Sequence, residues 1–232
     1  MESRDDGIDW GNGYGRRVKE LRERLAMRAA WIAVATIAIA LCANAVIART
    51  AAAASDPAGE VRATLDEAEP VFANAQIAPA ARQKRLREIA ARHFDFAYMA
   101  RSAMGTHWKS LTAAQRKEFV PLFTDYVMDT YLGTLQQNTV EAASHALKDK
   151  VGYDGADRAT VYSDVHLKNL ADPLAVNYSL RMGDGGWKLY DIVVDNVSTM
   201  ANYRNEFNQT VNNGGYVKLV NNLRTRPVSA VH

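Results

Sequence analysis

The feature that most limits what this chain can become is a change of hydrophobic period near Leu147. Upstream of it, apolar residues recur at helical spacing. Val61, Leu65, Ala68 and Phe72 form one stripe and Leu86, Ile89 and Ala90 a second; the longest stripe is Phe119, Leu122, Phe123, Tyr126, Val127 and Tyr131. From Leu147 the period is two. Val161, Val165 and Leu167 alternate with Tyr162, Asp164 and His166, and Leu174, Val176, Tyr178, Leu180 and Met182 alternate with Ala175, Asn177, Ser179 and Arg181. A period of 3.6 puts one face of a helix on a core, and a period of two does the same for a strand. The order of periods therefore predicts an α+β fold: N-terminal helices, a twisted antiparallel sheet of about four strands, and C-terminal helices.

Local signals sharpen the outline. Pro79 suits the first turn of a helix, whereas Pro70 should bend or end the preceding one and Pro121 should kink the longest. Thr112 and Gln115 have the spacing of a capping box, and Gly105 closes a short helix that begins near His93. The run "GDGG" (183–186) marks a hairpin, with Asp184-Gly185 suited to its tight turn. Ser198 caps a helix over about 198–212, and another follows over about 215–224. Along the last strand Trp187, Leu189 and Val193 point one way and Tyr190, Ile192 and Val194 the other, an assignment that a shift of one residue reverses. Both sheet faces then carry apolar residues. Helices laid across such a curved sheet can enclose an apolar pocket, in the manner of the cone-shaped NTF2-like folds.

The N-terminal 54 residues read differently. Residues 29–48, "AAWIAVATIAIALCANAVIA", carry no charge and follow a flank rich in Arg and Lys. That is an export signature, and "AAAAS" (51–55) offers a small-x-small cleavage site after Ala54. The rival reading is a retained anchor facing the periplasm, since about 20 apolar residues span a bilayer. The expected organisation is residues 1–54 as extension and signal peptide or anchor, 55–224 as one α+β domain, and 225–232 as a flexible tail. The single cysteine, Cys42, lies inside the apolar run, so residues 55–232 hold none, as suits an exported domain that folds without disulfides.

Charge excludes one class of partner. Residues 55–232 carry 20 Lys+Arg against 20 Asp+Glu, a net charge of zero. A nucleic-acid-binding domain needs a basic surplus to displace counterions, so no nucleic-acid partner is expected. Arg82, Lys84, Arg85 and Arg87 crowd one helix face. They read as a solvated face or as a contact for anionic lipid or a partner.

No catalytic motif appears. Nucleophile elbow, zinc-protease and phosphate-loop patterns are missing, and His93, His107, His145 and His166 share no metal-ligand spacing. No cofactor, metal or catalytic set is expected, and the four histidines read as surface or capping residues. Asp191 and Asp195 stand four residues apart on one strand, too far for carboxylates that share a proton. Asp191 is expected instead to take a hydrogen bond or ion pair from a neighbouring helix, with Arg204 a plausible partner.

Two stretches carry a family resemblance. "FDFAYMARSAMGTHWKSLTAAQRKEF" and "DGGWKLYDIVVDNVSTMANYRNEF" resemble the MlaC family of periplasmic phospholipid-binding proteins, also called toluene-tolerance proteins, and its hopanoid-associated HpnM branch. The second stretch is the more specific, with Trp187, Asp191, Val197-Ser198, Tyr203-Arg204 and Phe207 in register. Phe94, Met99, Gly105, Trp108, Leu111, Gln115 and Phe119 form the other anchor. Asn196 stands where the family commonly has glycine, and asparagine tolerates the same left-handed turn.

The resemblance implies a non-enzymatic periplasmic lipid carrier that holds acyl chains in an apolar pocket. It implies a phospholipid or hopanoid ligand, shuttled between an inner-membrane lipid transporter complex and an outer-membrane lipoprotein complex to maintain outer-membrane lipid asymmetry. The expected lipid-binding residues are Phe123, Tyr126, Val127 and Tyr131, on a stripe facing the sheet, and Val161, Val165, Val176, Tyr178 and Leu180 opposite them. Tyr190 and Phe207 complete the set. Two other classes stay open: a cavity enzyme on an NTF2-like fold using Tyr178 and Asp191, and a membrane-tethered interaction module if the leader is retained.

Overall fold

The computed structural model describes residues 56–74, 76–137, 142–167 and 172–225. The expectations for the leader and for the tail beyond Thr225 fall outside these residues.

Helix α1 (Pro57–Ala73) starts at Asp56, whose carboxylate accepts from the backbone N–H of Ala58 and Gly59 at 3.0 and 3.1 Å. It runs on through Pro70 instead of ending there. Pro70 is exposed and lies in the last turn, so the one ladder bond it removes, to the Asp66 carbonyl, falls near the helix end. Helix α2 (Pro79–His93) has its proline in the first turn, as expected. The extended pair Phe94–Asp95 then lies beside the sheet, with the Asp95 N–H donating to Leu189 O at 2.8 Å. Asp95 caps α3 (Phe96–Met104) through Tyr98 N at 2.9 Å. Gly105 (φ 53) ends α3, and a Cβ there would stand 3.1 Å from the Arg204 side chain. A 3-10 turn (Gly105–Ser110) leads to α4 (Ala113–Gln137). The capping box forms: Thr112 N donates to Gln115 Oε1 at 2.9 Å and Gln115 N to Thr112 Oγ1 at 3.2 Å.

The sheet is a meander of five antiparallel strands in sequence order. They are β1 (Ala142–Tyr153), β2 (Arg158–Leu167), β3 (Leu174–Gly183), β4 (Gly186–Val194) and the two-residue β5 (Val197–Ser198). Left-handed Asp195 and Asn196 (φ 46 and 66) make the tight turn into β5. Helix α5 (Thr199–Thr225) is two helices joined at a non-helical Gly215 (φ 73, ψ 178), as the sequence predicts.

One register detail corrects the face assignment of β4. Asp191 pairs with Ser179, but Leu189 pairs with Leu180, so a bulge falls at Tyr190. A bulge inserts one residue and resets the alternation. Trp187 and Leu189 therefore share a face with Ile192 and Val194, and all four belong to one core.

Three clusters organise the packing. The first lies between α1 and the sheet and contains Val61, Val161, Val165, Val176, Tyr178, Leu180, Trp187 and Leu189. The second joins α3, α4 and α5 through Met99, Phe119, Phe123, Val127, Tyr203, Phe207 and Leu219. The third is small: Leu86 and Ile89 of α2 against Met128 and Leu132 of α4.

Candidate functional site

A cavity of about 160 Å³ lies where the three clusters meet. α1 contributes Val61, Thr64, Leu65, Ala68 and Phe72, and α2 contributes Leu86, Ile89 and Ala90. Phe94 comes from the extended pair before α3, Phe96 and Met99 from α3, and Val127, Met128, Tyr131 and Leu132 from α4. Tyr178, Leu189, Asp191 and Ile192 form the sheet side, and Thr199 and Met200 the start of α5. Amphipathic helices build such a wall because each turns its apolar stripe away from water. Here three stripes converge on a gap that the sheet alone does not fill. A lining this apolar suits hydrocarbon, and dry cavities of about this size accept small apolar molecules.

The few polar groups on the wall are already engaged. Asp191 is 8% exposed and accepts from Ser198 Oγ and from Met200 N at 3.0 Å. It thereby holds the first turn of α5, where the helix dipole favours a carboxylate. Burial raises its pKa, and the hydrogen bonds from Ser198 and Met200 partly offset the rise. Its expected partner Arg204 donates its hydrogen bonds to Ser102 O and Oγ at 2.9 and 3.0 Å, and acts on Asp191 only through its charge, which lowers the carboxyl pKa. Asp195 points to Ala175 N at 3.0 Å, so the two aspartates do not act as a pair. The Tyr131 hydroxyl meets Thr199 and Tyr203, and burial drives its pKa upward. Thr199 Oγ1 donates to Ile192 O at 2.9 Å.

Behind Tyr178 lies a polar cluster that no spacing in the sequence announces. His145 Nε2 sits 3.1 Å from both Ser163 Oγ and the Tyr178 hydroxyl, and Ser163 donates to Val176 O at 2.6 Å. Burial pushes the His145 pKa down to about 4, which keeps the ring neutral near pH 7. His93 is also internal. Its Nδ1 is 2.9 Å from Glu60 and its Nε2 3.2 Å from Glu67, tying α2 to α1. Neither is a surface residue, and only tertiary contacts reveal their partners. Among the described residues no group of His, Cys, Asp and Glu could hold a metal ion.

Of the eleven residues expected at the pocket, Val127, Tyr131 and Tyr178 line the cavity. The others sit elsewhere. Phe123, Tyr126 and Phe207 pack with Tyr203 in the aromatic core between α4 and α5. The Phe123 and Tyr126 part of the α4 stripe thus faces α5 and not the sheet. Val161, Val165, Val176 and Leu180 are buried solidly beneath α1. Tyr190, at the bulge, meets the Tyr98 ring edge-on at 5.0 Å. The alternative pair Tyr178 and Asp191 does reach the cavity, against walls that are otherwise hydrocarbon. On α2, Arg87 pairs with Asp125 and Asp129, and Arg82 donates to Asn74 O and Ile77 O, while Lys84 and Arg85 are exposed. The wall residues from α1 and α2 carried their signal as helical stripes, but nothing in a stripe says whether it meets core or cavity.

Among the described residues no helix is long and apolar enough to cross a membrane. No curated protein matches the chain. A phospholipid-binding protein from Ralstonia solanacearum, solved in complex with a phospholipid, is similar in structure with a TM-score of 0.60 at 25% sequence identity. The match covers 73% of this chain and 96% of that one. The model of the MlaC protein family matches residues 61–225, from the first core residue of α1 to the C-terminal end of α5, and the chain belongs to that family.

Proposed function

We propose that this protein is a periplasmic phospholipid carrier that holds acyl chains in the cavity and shuttles lipid between the inner and outer membranes. The observation that carries the reading is the hydrocarbon-lined cavity between α1, α2, α4 and the sheet. Family membership and the phospholipid complex of the Ralstonia solanacearum protein support a phospholipid over a hopanoid. Val127, Tyr131 and Tyr178 would touch the chains, together with Leu65, Phe72, Ile89 and Phe94. Its partners would be a lipid transporter complex in the inner membrane and a lipoprotein complex in the outer. Residues 1–54 would direct export and be removed after Ala54, leaving residues 55–224 as the carrier domain.

The energetics fit carriage. Two acyl chains of about 16 carbons gain roughly 25 kcal/mol on leaving water, at ~0.8 kcal/mol per methylene. A bilayer offers nearly the same gain, so a carrier need only match it and transfer runs close to neutral. Direction then comes from the partners.

The test is purification from the native host, solvent extraction and mass spectrometry, with N-terminal sequencing of the same sample. A diacyl phospholipid near one per chain, on a protein beginning at Ser55, is the expected result. A hopanoid would move the assignment to the other branch. A lipid-free protein with intact fold would overturn carriage.

A further inference from the structure

We propose that cargo passes through the seam between α2 and α4, with α2 swinging outward about the Phe94–Asp95 segment. The proposal rests on the carrier reading and adds which element moves and where the lipid crosses.

The cavity requires some wall to give way. At about 160 Å³ it accepts a short run of one chain and not a two-chain lipid. The walls differ in how firmly they are held. α1 is fixed on the sheet by the first core, and α4 on α5 by the aromatic core. No residue of α2 belongs to either of those two cores. Its hold on α4 is the small cluster of Leu86, Ile89, Met128 and Leu132, plus Arg87 against Asp125 and Asp129. Asp125 has 70% of its side chain exposed, so water screens that ion pair. Segments with few buried contacts open first.

The ends of α2 are tethered unequally. At the C-terminal end Asp95 N donates to Leu189 O at 2.8 Å, Arg181 pairs with Asp95 at 2.6 Å, and Lys188 Nζ donates to Arg92 O. His93 and Arg92 bind Glu60 and Glu67 of α1 at the same end. Earlier along the helix Arg87 is the ionic tie to α4. A pivot at Phe94–Asp95 therefore parts α2 from α4, and from Ala68, Val71 and Phe72 of α1 in the same small cluster, while Val61 and Leu65 keep α1 seated on the sheet. Leu86, Ile89, Met128 and Leu132 form the seam and also line the cavity, so parting the seam enlarges the cavity in the same movement.

The experiment uses the full chain with Cys42→Ser, Arg87→Cys and Asp129→Cys, loaded with fluorescent phosphatidylethanolamine. Loading precedes linkage of the two thiols by a reducible bismaleimide. Transfer to phosphatidylglycerol/phosphatidylcholine vesicles is followed by fluorescence, with the unlinked variant as comparator. The link should slow release about tenfold or more, as a closed lid does, and reduction should restore it. Arg87→Gln alone should speed release by up to about fivefold, as loss of a partly exposed ion pair allows. Release from the linked protein at the unlinked rate would overturn the seam as the portal. A protein that never takes up the labelled lipid would overturn the carrier reading beneath it.

Discussion

Enlarging one side chain on the cavity wall and one in the adjacent core should have opposite effects on stability. Ala90 is half-buried on the inner side of α2 and faces the cavity; Val176 is 0% exposed within the first core. In Ala90→Phe the ring enters space that other side chains do not fill. Burying a phenylalanine contributes roughly 1.5–3 kcal/mol, and the weaker helix propensity of phenylalanine removes about half a kcal/mol. The lipid-free variant should gain about 1–2 kcal/mol, or a Tm higher by roughly 2–6 °C for a folded region of this size. In Val176→Phe no space exists, and overpacking costs about 1–3 kcal/mol. Calorimetry of delipidated protein reads the stability, and mass spectrometry of extracted lipid reads carriage. Ala90→Phe should be the stabler protein and carry less lipid, because ring and acyl chain compete for one volume. Equal destabilisation by both changes would refute the reasoning, as would an Ala90→Phe variant carrying the full complement of lipid.

Other contacts yield further expectations. Phe207→Ala empties the centre of the aromatic core, where Phe207 is 1% exposed, and should cost about 3–5 kcal/mol in urea unfolding while the folded fraction still carries lipid. Asp191→Ala strips the α5 terminus of its acceptor and should cost about 2–3 kcal/mol, whereas Asp191→Asn, which keeps one acceptor for Met200 N, should cost less; equal losses would show that the cap is unimportant. His145 has a folded-state pKa of about 4, below its ordinary 6.5, so the unfolded chain binds the extra proton first. Stability from this group is therefore full above pH 6.5 and is lost as pH falls toward 4, by up to about 3 kcal/mol. Asp191, whose pKa is raised by burial, opposes that slope at the acid end, since folding favours its protonated form. Denaturant midpoints between pH 4 and 7 should flatten in His145→Asn, and an unchanged slope would show that the ring is not desolvated.

Whatever depends on neighbours a few residues apart can be read from the chain before it folds. The shift of period near Leu147 distinguished helices from strands. The Thr112–Gln115 capping box, the Ser198 cap with its bond to Ala201 N at 2.9 Å, and the left-handed Asn196 were legible because each is closed within a turn of chain. Family membership was legible for a related reason: the positions of two anchors in fixed register identify a shared fold without saying what each side chain touches. Tertiary structure decided the rest. The stripe of α4 could not announce that Phe123 and Tyr126 meet Tyr203 and Phe207, nearly eighty residues later, while Val127 and Tyr131 turn to the cavity. The Tyr190 bulge reset the faces of β4, because a bulge arises between two strands and leaves no mark in the alternation of one. Val161, Val165 and Val176 alternate cleanly because they are solid core beneath α1, and the same alternation would have served a pocket floor. Hydrophobic burial is non-directional, so an apolar residue records that it leaves water and not what it meets there. Where the stripes of α1, α2 and α4 fail to close on one another, the unfilled volume belongs to no single segment, and only their arrangement in space creates it.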